Sequence, residues 1–293
     1  SLEDTVNFDF FNPKFGAFYQ LDNNKSVFAS FAVANREPNR SDFVDSSPNS
    51  RLVHETLYDT ELGYKISKKN FTFSANAYYM IYENQLILTG KINDVGEYTR
   101  ENVDYSERKG IEIEGGFKLN CKIDWSGNVS FSENTIAHYN EYVDNWDTWG
   151  QEKIEYENTN IAFSPELIWA SKFNYKLNDK MEIQLISKYV DEQYIDNTSS
   201  DDRKLDAYLV HHGRLIWDIS STLFKKARLS LQVNNLLDEN YVNNAWIYRF
   251  KSDGYDPRPD DAFVSANSEG GYDMAGYFPQ AKRNFLLGLT LGF

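Results

Sequence analysis

The residues in this chain whose types could do chemistry are aromatic and acidic, and they sit in two polar stretches. Glu141 through Asn158 carries six acids against the single base Lys153, together with Tyr142, Trp146 and Trp149. An acidic run alone is a solvated face, but aromatic rings beside polar groups can stack on sugars or planar chelates. The alternative is that the tryptophans belong to an interfacial girdle or pack one loop against another. A second stretch adds Trp246, Tyr248, Arg249, Tyr255 and Arg258, a set suited to hydrogen bonding a polyhydroxylated or anionic ligand. Asp253, Asp256, Asp260 and Asp261 form the densest carboxylate group and could hold calcium, although their spacing is not that of an EF-hand; no metal site is assigned and no cofactor is expected.

Catalysis finds little support. The sequence has no G-x-S-x-G, no H-E-x-x-H, no glycine-rich phosphate loop and no C-x-x-C. Its four histidines are His54, His138, His211 and His212, and the adjacent pair, on a strand, points to opposite faces and cannot chelate together. No enzyme activity is expected. The single Cys121 excludes an internal disulfide framework, and a formal net charge of -14 makes nucleic acid a poor partner.

The elements that must position these residues read as strands. Phe285, Leu287, Leu289, Leu291 and Phe293 fall on one face, opposite Asn284, Gly288, Thr290 and Gly292. Ile111, Ile113, Phe117 and Leu119 alternate with Glu112, Glu114, Gly116 and Lys118, and the same period recurs over 71–81, 123–131 and 228–234. Helical templates fail throughout. Alternation gives about eleven strands, many longer than the ~5–6 residues usual in soluble sheets. Short polar turns are expected at Asp22–Lys25, Ser67–Asn70, Asn120–Lys122, Asn178–Lys180 and Phe224–Lys226, and long loops at about 36–54, 87–103, 141–158, 196–204 and 246–272. Tight turns at one end and long loops at the other are the pattern a transmembrane barrel shows, and the strands of such a barrel average out as hydrophilic. A soluble β-sandwich would have shorter strands and no bulky apolar residues on the outer face of each.

No apolar run reaches the roughly 20 residues a spanning helix needs, and Ser1-Leu2-Glu3-Asp4 does not open a signal peptide. No linker or composition shift divides residues 1–293, so one β-barrel segment is expected. An odd strand number cannot close an up-and-down barrel, so the segment reads as incomplete.

Particular residues carry a family resemblance. Val233-Asn234-Asn235-Leu236-Leu237-Asp238-Glu239-Asn240-Tyr241 fits V-x-N-L-hydrophobic-D-x-x-Y, and Tyr277 through Phe293 looks like a last strand with its terminal aromatic. Asn12–Gly16, Arg36-Glu37-Pro38, Glu61–Lys65, Gly110–Glu114 and Phe163–Glu166 occur in the accompanying order. The chain resembles the C-terminal half of a TonB-dependent outer-membrane receptor. The resemblance implies an all-β, antiparallel up-and-down meander forming the second half of a 22-stranded barrel, in the outer membrane of a Gram-negative bacterium. It implies uptake of a ferric siderophore, cobalamin, haem or oligosaccharide, with energy from TonB acting on a plug domain this chain lacks. Implied partners are outer-membrane lipid, the N-terminal half of the barrel and the plug, the TonB complex, the barrel assembly machinery and a surface lipoprotein. Phe285, Leu287, Leu289, Leu291 and Phe293 would form the assembly signal. Pro13 and Pro165 should lie at strand starts or the rim, and Gly63, Gly115, Gly116, Gly288 and Gly292 should leave room for a neighbour or mark a bulge. The rival from another class is a soluble or surface-attached β-rich glycan-binding or adhesin module.

Overall fold

The computed structural model describes residues 7–45, 52–93, 96–219 and 225–292. Strands β1 (Lys14–Asp22) and β2 (Lys25–Arg36) form the first hairpin, followed by a short helix, α1 (Arg40–Asp45). Then come β3 (Glu55–Lys68), β4 (Phe71–Ile92), β5 (Tyr98–Lys118), β6 (Ile123–Asn145), β7 (Gly150–Asn160), β8 (Leu167–Asn178) and β9 (Met181–Val190). A small hairpin, β10 (Gln193–Tyr194) and β11 (Lys204–Leu205), precedes β12 (Tyr208–Asp218) and β13 (Lys226–Asn234). The chain ends through β14 (Val242–Lys251), β15 (Val264–Ala266), β16 (Tyr272–Pro279) and β17 (Asn284–Gly292).

The wall is an eleven-strand path in the order β1-β2-β3-β4-β5-β6-β8-β9-β12-β13-β17, antiparallel at every step. Along an odd path the first and last strands run the same way, so β1 and β17 cannot pair with each other antiparallel. The sequence-level count of about eleven is met. Tight turns at one end are set by Asx chemistry: Asp22 Oδ1 accepts from Asn24 N at 2.7 Å, Asn120 Oδ1 from Lys122 N at 2.8 Å, and Asn178 Oδ1 from Lys180 N at 2.9 Å. Pro13 and Pro165 stand just before β1 and β8, where no ladder donor is lost.

The register sorts side chains into two faces. Leu62, Ala77, Ile111, Phe131 and Leu167 form one cross-strand row on the outside. Asp124, Asn174, Gln184, Arg214 and Gln232 form a row on the inside. Phe71, Ile111, Phe131, Leu185, Trp217 and Leu287 are all exposed on the outer face. In water such a continuous apolar surface is an aggregation liability, whereas in hydrocarbon it is the stable arrangement. The inner face is packed locally. A Cβ on Gly63 would stand 1.9 Å from the Phe28 ring, its ladder partner, so only glycine lets that ring lie across the strand.

Strands β4, β5 and β6 are 22, 21 and 23 residues long, about twice the 9–11 that cross a bilayer. Their upper halves therefore stand outside it. This corrects the expected loops at 87–103 and 141–158: the ladder continues to Ile92 and resumes at Tyr98, and continues to Asn145 and resumes at Gly150. Above the bilayer both faces of a strand can be polar, so the period-2 signal fades while the backbone pairing persists. Likewise 246–251 belongs to β14, and the connection expected at Phe224–Lys226 spans 219–225, with Phe224 outside the described residues. Phe293 also lies outside them.

Buried apolar cores occur in this upper region. Ile87, Val103, Ile136, Tyr139 and Ile161 form one, and Ile195, Leu205, Ala245 and Ile247 another. The hairpin β14–β16 leans across to the tops of other strands: Tyr98 Oη donates to Asn244 Oδ1 at 2.8 Å, and Phe250 and Lys251 pair parallel with Asp144 and Asn145 of β6. The result is a folded crown on the long-loop end of the wall.

Candidate functional site

Three segments build the crown: the β6–β7 tip, residues 191–206, and β14 through β16. At the tip, Asn145 Oδ1 caps the turn by accepting from Asp147 N at 3.0 Å and Thr148 N at 3.1 Å. Asp147 then accepts from Asp253 N at 2.6 Å and Gly254 N at 3.0 Å, tying the tip to the β14–β15 connection. Trp146 stacks on Phe250 with centroids 4.0 Å apart and planes 13° from parallel, and its Nε1 donates to Tyr248 Oη at 3.3 Å. Tyr248 in turn donates to Asp144 Oδ2 at 2.6 Å. Burial and that hydrogen bond push the Tyr248 phenol up to about 12. Trp149 follows with φ of 55°, a conformation bulky residues rarely adopt, and 94% of its surface is exposed. Strain of this kind collects at functional surfaces.

Beneath the tip lie two arginines almost wholly removed from solvent. Arg249 Nη1 contacts Glu141 Oε2 at 2.7 Å, donates to Tyr156 Oη at 2.9 Å, and the same guanidinium pairs with Glu269. Arg203 meets Asp196 at 2.8 Å, Glu269 at 3.1 Å and Asp273 at 3.4 Å, and donates to Thr198 Oγ1 at 2.8 Å. Burial raises the Glu141 and Asp273 carboxyls despite their cationic neighbours. Burial works the same way on Glu269, but Arg203 and Arg249 together outweigh it and hold that carboxyl below its usual range. Glu269 is thus the shared counterion of both arginines.

Over 139–160, 191–206 and 242–279 the chain carries eighteen acids and six bases. All six bases are ion-paired within the crown: Lys153 with Glu155, Arg203 and Arg249 as above, Lys204 with Glu192 and Asp201, Lys251 with Glu152, and Arg258 with Asp256. Its surface is therefore strongly negative and offers aromatic rings.

The structure separates the residues singled out in the sequence. Tyr142, Trp149 and Tyr255 are exposed at 46%, 94% and 48%. Trp146 and Tyr248 pack one segment against another, as the packing alternative holds, and Trp246 lies on strand β14 with its ring where a Gly276 Cβ would be. Arg249 is corrected from a loop residue to a buried strand residue, 2% exposed, because its position on β14 aims it at Glu141. Arg258 forms a two-point contact with Asp256, at 2.9 and 2.7 Å. Among the carboxylates weighed for calcium, Asp256 is paired with Arg258, Asp260 accepts from Tyr255 Oη and Asp261 from Phe263 N. No group of three or more His, Cys, Asp or Glu among the described residues is arranged to hold a metal ion. His211 Nδ1 contacts Ser187 Oγ at 2.7 Å, and His212 Nδ1 accepts from Asn235 N at 3.4 Å, so the two do face apart. Phe285, Leu287, Leu289 and Leu291 project outward from β17, the last strand of the wall.

Sequence reasoning missed Arg203, Glu269 and Asp273, which lie 66–70 residues apart and carry no local signal. It also missed the exposed Phe263. Residues 2–236 match the family model described as TonB dependent receptor-like, beta-barrel. Among solved structures, the chain is similar to the ferric-catecholate import receptor Fiu of E. coli K12, with a TM-score of 0.61 and 18% identity over 94% of this chain and 34% of that one. The siderophore receptor PiuA of Acinetobacter baumannii gives 0.66 at 15% identity, over 94% and 35%. A mutant of the ferric enterobactin receptor PfeA from Pseudomonas aeruginosa gives 0.60 at 18%, over 96% and 40%. The chain thus spans well under half the length of these proteins.

Proposed function

This chain belongs to the TonB-dependent receptor β-barrel family, whose members are receptors of the Gram-negative outer membrane rather than enzymes, and from that premise we propose that it is one side of an uptake receptor's wall. The rest of the wall bridges β1 and β17 with a further odd number of strands, and a plug domain inside the completed barrel receives energy from TonB. Residues 1–293 act as one wall segment. The terminal residues Phe285, Leu287, Leu289, Leu291 and Phe293 serve as the edge that the assembly machinery recognises.

The crown captures the nutrient, and one observation carries this: Trp149 is held at the tip in a strained conformation with nearly its whole ring in solvent. Tyr142 and Tyr255 are the further contacts. Structurally similar proteins are named for ferric catecholate, siderophore and ferric enterobactin. With every crown base paired to a carboxylate, this crown favours a ligand without surplus negative charge, such as a neutral chelate, cobalamin or an oligosaccharide, over a bare polyanion.

Tryptophan fluorescence of the detergent-folded protein, titrated with ferric enterobactin, cyanocobalamin, haemin and maltoheptaose, tests this reading. Saturable quenching by an uncharged ligand, lost in Trp149→Ala, supports it. Tight binding of ferric enterobactin alone, or quenching indifferent to Trp149→Ala, would overturn it.

A further inference from the structure

The tight-turn end of the wall departs from the charge of the rest of the molecule. Over 20–27, 65–72, 117–124, 175–182 and 218–228 the chain carries eleven bases and five acids, whereas the remaining residues carry nineteen bases and thirty-nine acids. The register divides these turn-end charges. Lys65, Lys118, Lys176, Lys226 and Arg228 lie on the inner face, beside Asp124, Glu182 and Asp218. Left at the turns themselves are Lys25, Lys68, Lys69, Lys122, Lys180 and Lys225, against Asp22 and Asp179. Lys25 is paired with Asp22 at 3.4 Å. The other five lysines are exposed, and none forms an ion pair with a described carboxylate.

Their placement points to the membrane surface. Each of their turns adjoins an exposed apolar residue that continues the outer face: Phe71 after Lys69, Leu119 before Lys122, Leu177 before Lys180 and Ile219 before Lys225. The lysines therefore stand where hydrocarbon gives way to headgroups, with apolar stems that can lie along the belt and ammonium groups at phosphate depth. Asn120 and Asn178 hold the amides of Lys122 and Lys180 in Asx turns, which fixes where those two side chains start. Successive turns are two strands apart along the wall, or about 10 Å, close to one Debye length. Spaced so, the lysines do not converge on a single anion, and each turn meets its own. A membrane surface offers anions in that arrangement.

We propose that the basic turns of the wall bind anionic phospholipid headgroups on the periplasmic side of the membrane. The proposal rests on the reading of this chain as a receptor wall, whose tight turns face the periplasm. The crown, with eighteen acids to six bases, presents the opposite charge at the other end. Anionic lipid is therefore drawn to one end alone, and it fixes the height and direction in which the wall sits.

The test uses the detergent-folded chain, with bound lipid counted by native mass spectrometry in phosphatidylglycerol or in phosphatidylethanolamine of the same acyl chains. Phosphatidylglycerol should be retained at least about threefold more than phosphatidylethanolamine at low salt, with the preference shrinking as salt rises. The combined substitution Lys68→Gln, Lys69→Gln, Lys122→Gln and Lys180→Gln should abolish that preference, while Lys153→Gln in the crown should leave it intact. Should the combined variant fail to fold, the salt dependence of the wild type decides. Equal retention of the two lipids, or a preference untouched by the turn substitutions, would overturn the proposal. Displacement of the lipid by an equal concentration of glycerol phosphate or hexaglutamate would also overturn it, marking a site for a free anion or an acidic protein segment. If the chain gave no heat-modifiable species in detergent, the wall reading itself would fall, and the turns with it. A heat-modifiable sample without the lipid preference overturns the lipid proposal alone.

Discussion

Arg249 and Glu141 meet 2.7 Å apart with side chains 2% and 4% exposed, joining β14 to β6 across the mouth of the wall. Neither group can retreat to water, so each depends on the other. Removing one member of a buried pair costs about 3–5 kcal/mol, because the survivor is left charged and desolvated. Glu141→Ala should fall at the lower end, since Arg249 keeps Glu269. Replacing both by methionine should recover most of the loss. Thermal melting of the single and double variants checks this, and additive losses would show that the pair is not a unit.

Glu269 gives the crown an acid-sensitive joint. Its carboxyl is held below the ordinary value of 4.5 by Arg203 and Arg249, so its contribution is complete above about 4.5 and is lost as pH falls through the lower folded value. Glu141 and Asp273 run the other way, since burial raises them and protonation relieves part of that cost. Comparison with Glu269→Gln isolates the joint. Wild type should lose melting temperature below about pH 4.5, while the variant, already weakened at pH 7, should show a flatter acid limb.

Gly63 has a steric reason to be glycine. With the Phe28 ring 1.9 Å from a would-be Cβ, Gly63→Ala must displace that ring. Overpacking of this sort costs about 1–3 kcal/mol. Phe28→Ala in the same chain should restore part of the loss, measured as the temperature at which heat-modifiable migration disappears.

Trp149 should separate stability from binding. Its ring is 94% exposed, so Trp149→Ala should change melting by no more than about 0.5 kcal/mol. The same substitution should remove ligand-induced quenching. A large loss of stability would place the ring in packing instead.

Much of the wall was legible because a bilayer imposes a period-2 contrast: Ile111, Ile113 and Phe117 face out while Glu112 and Glu114 face in, and the ladder follows that alternation. Asn23-Asn24 and Asp179-Lys180 announced their turns through local chemistry that needs no distant partner. The crown was less legible for the opposite reason. Strand pairing above the bilayer has no apolar face to mark it, so β7 and the upper parts of β4 to β6 read as loop. Arg249 looked like a surface ligand because its type is polar, and only the fold reveals that Glu141, 108 residues away, waits for it. Trp149 was found by its type in an acidic run, whereas its separation from Trp146, which packs on Phe250, depends on the geometry of a four-residue tip.

The most direct measurement is quenching by brominated phospholipid of two single-tryptophan variants reconstituted in vesicles, one retaining Trp125 on the outer face of β6 and the other Trp149 in the crown. If this chain is a membrane wall bearing a solvent-facing crown, Trp125 fluorescence falls with bromolipid content while Trp149 stays unquenched and remains open to aqueous iodide. Equal quenching of both by bromolipid, or of neither, would contradict that arrangement.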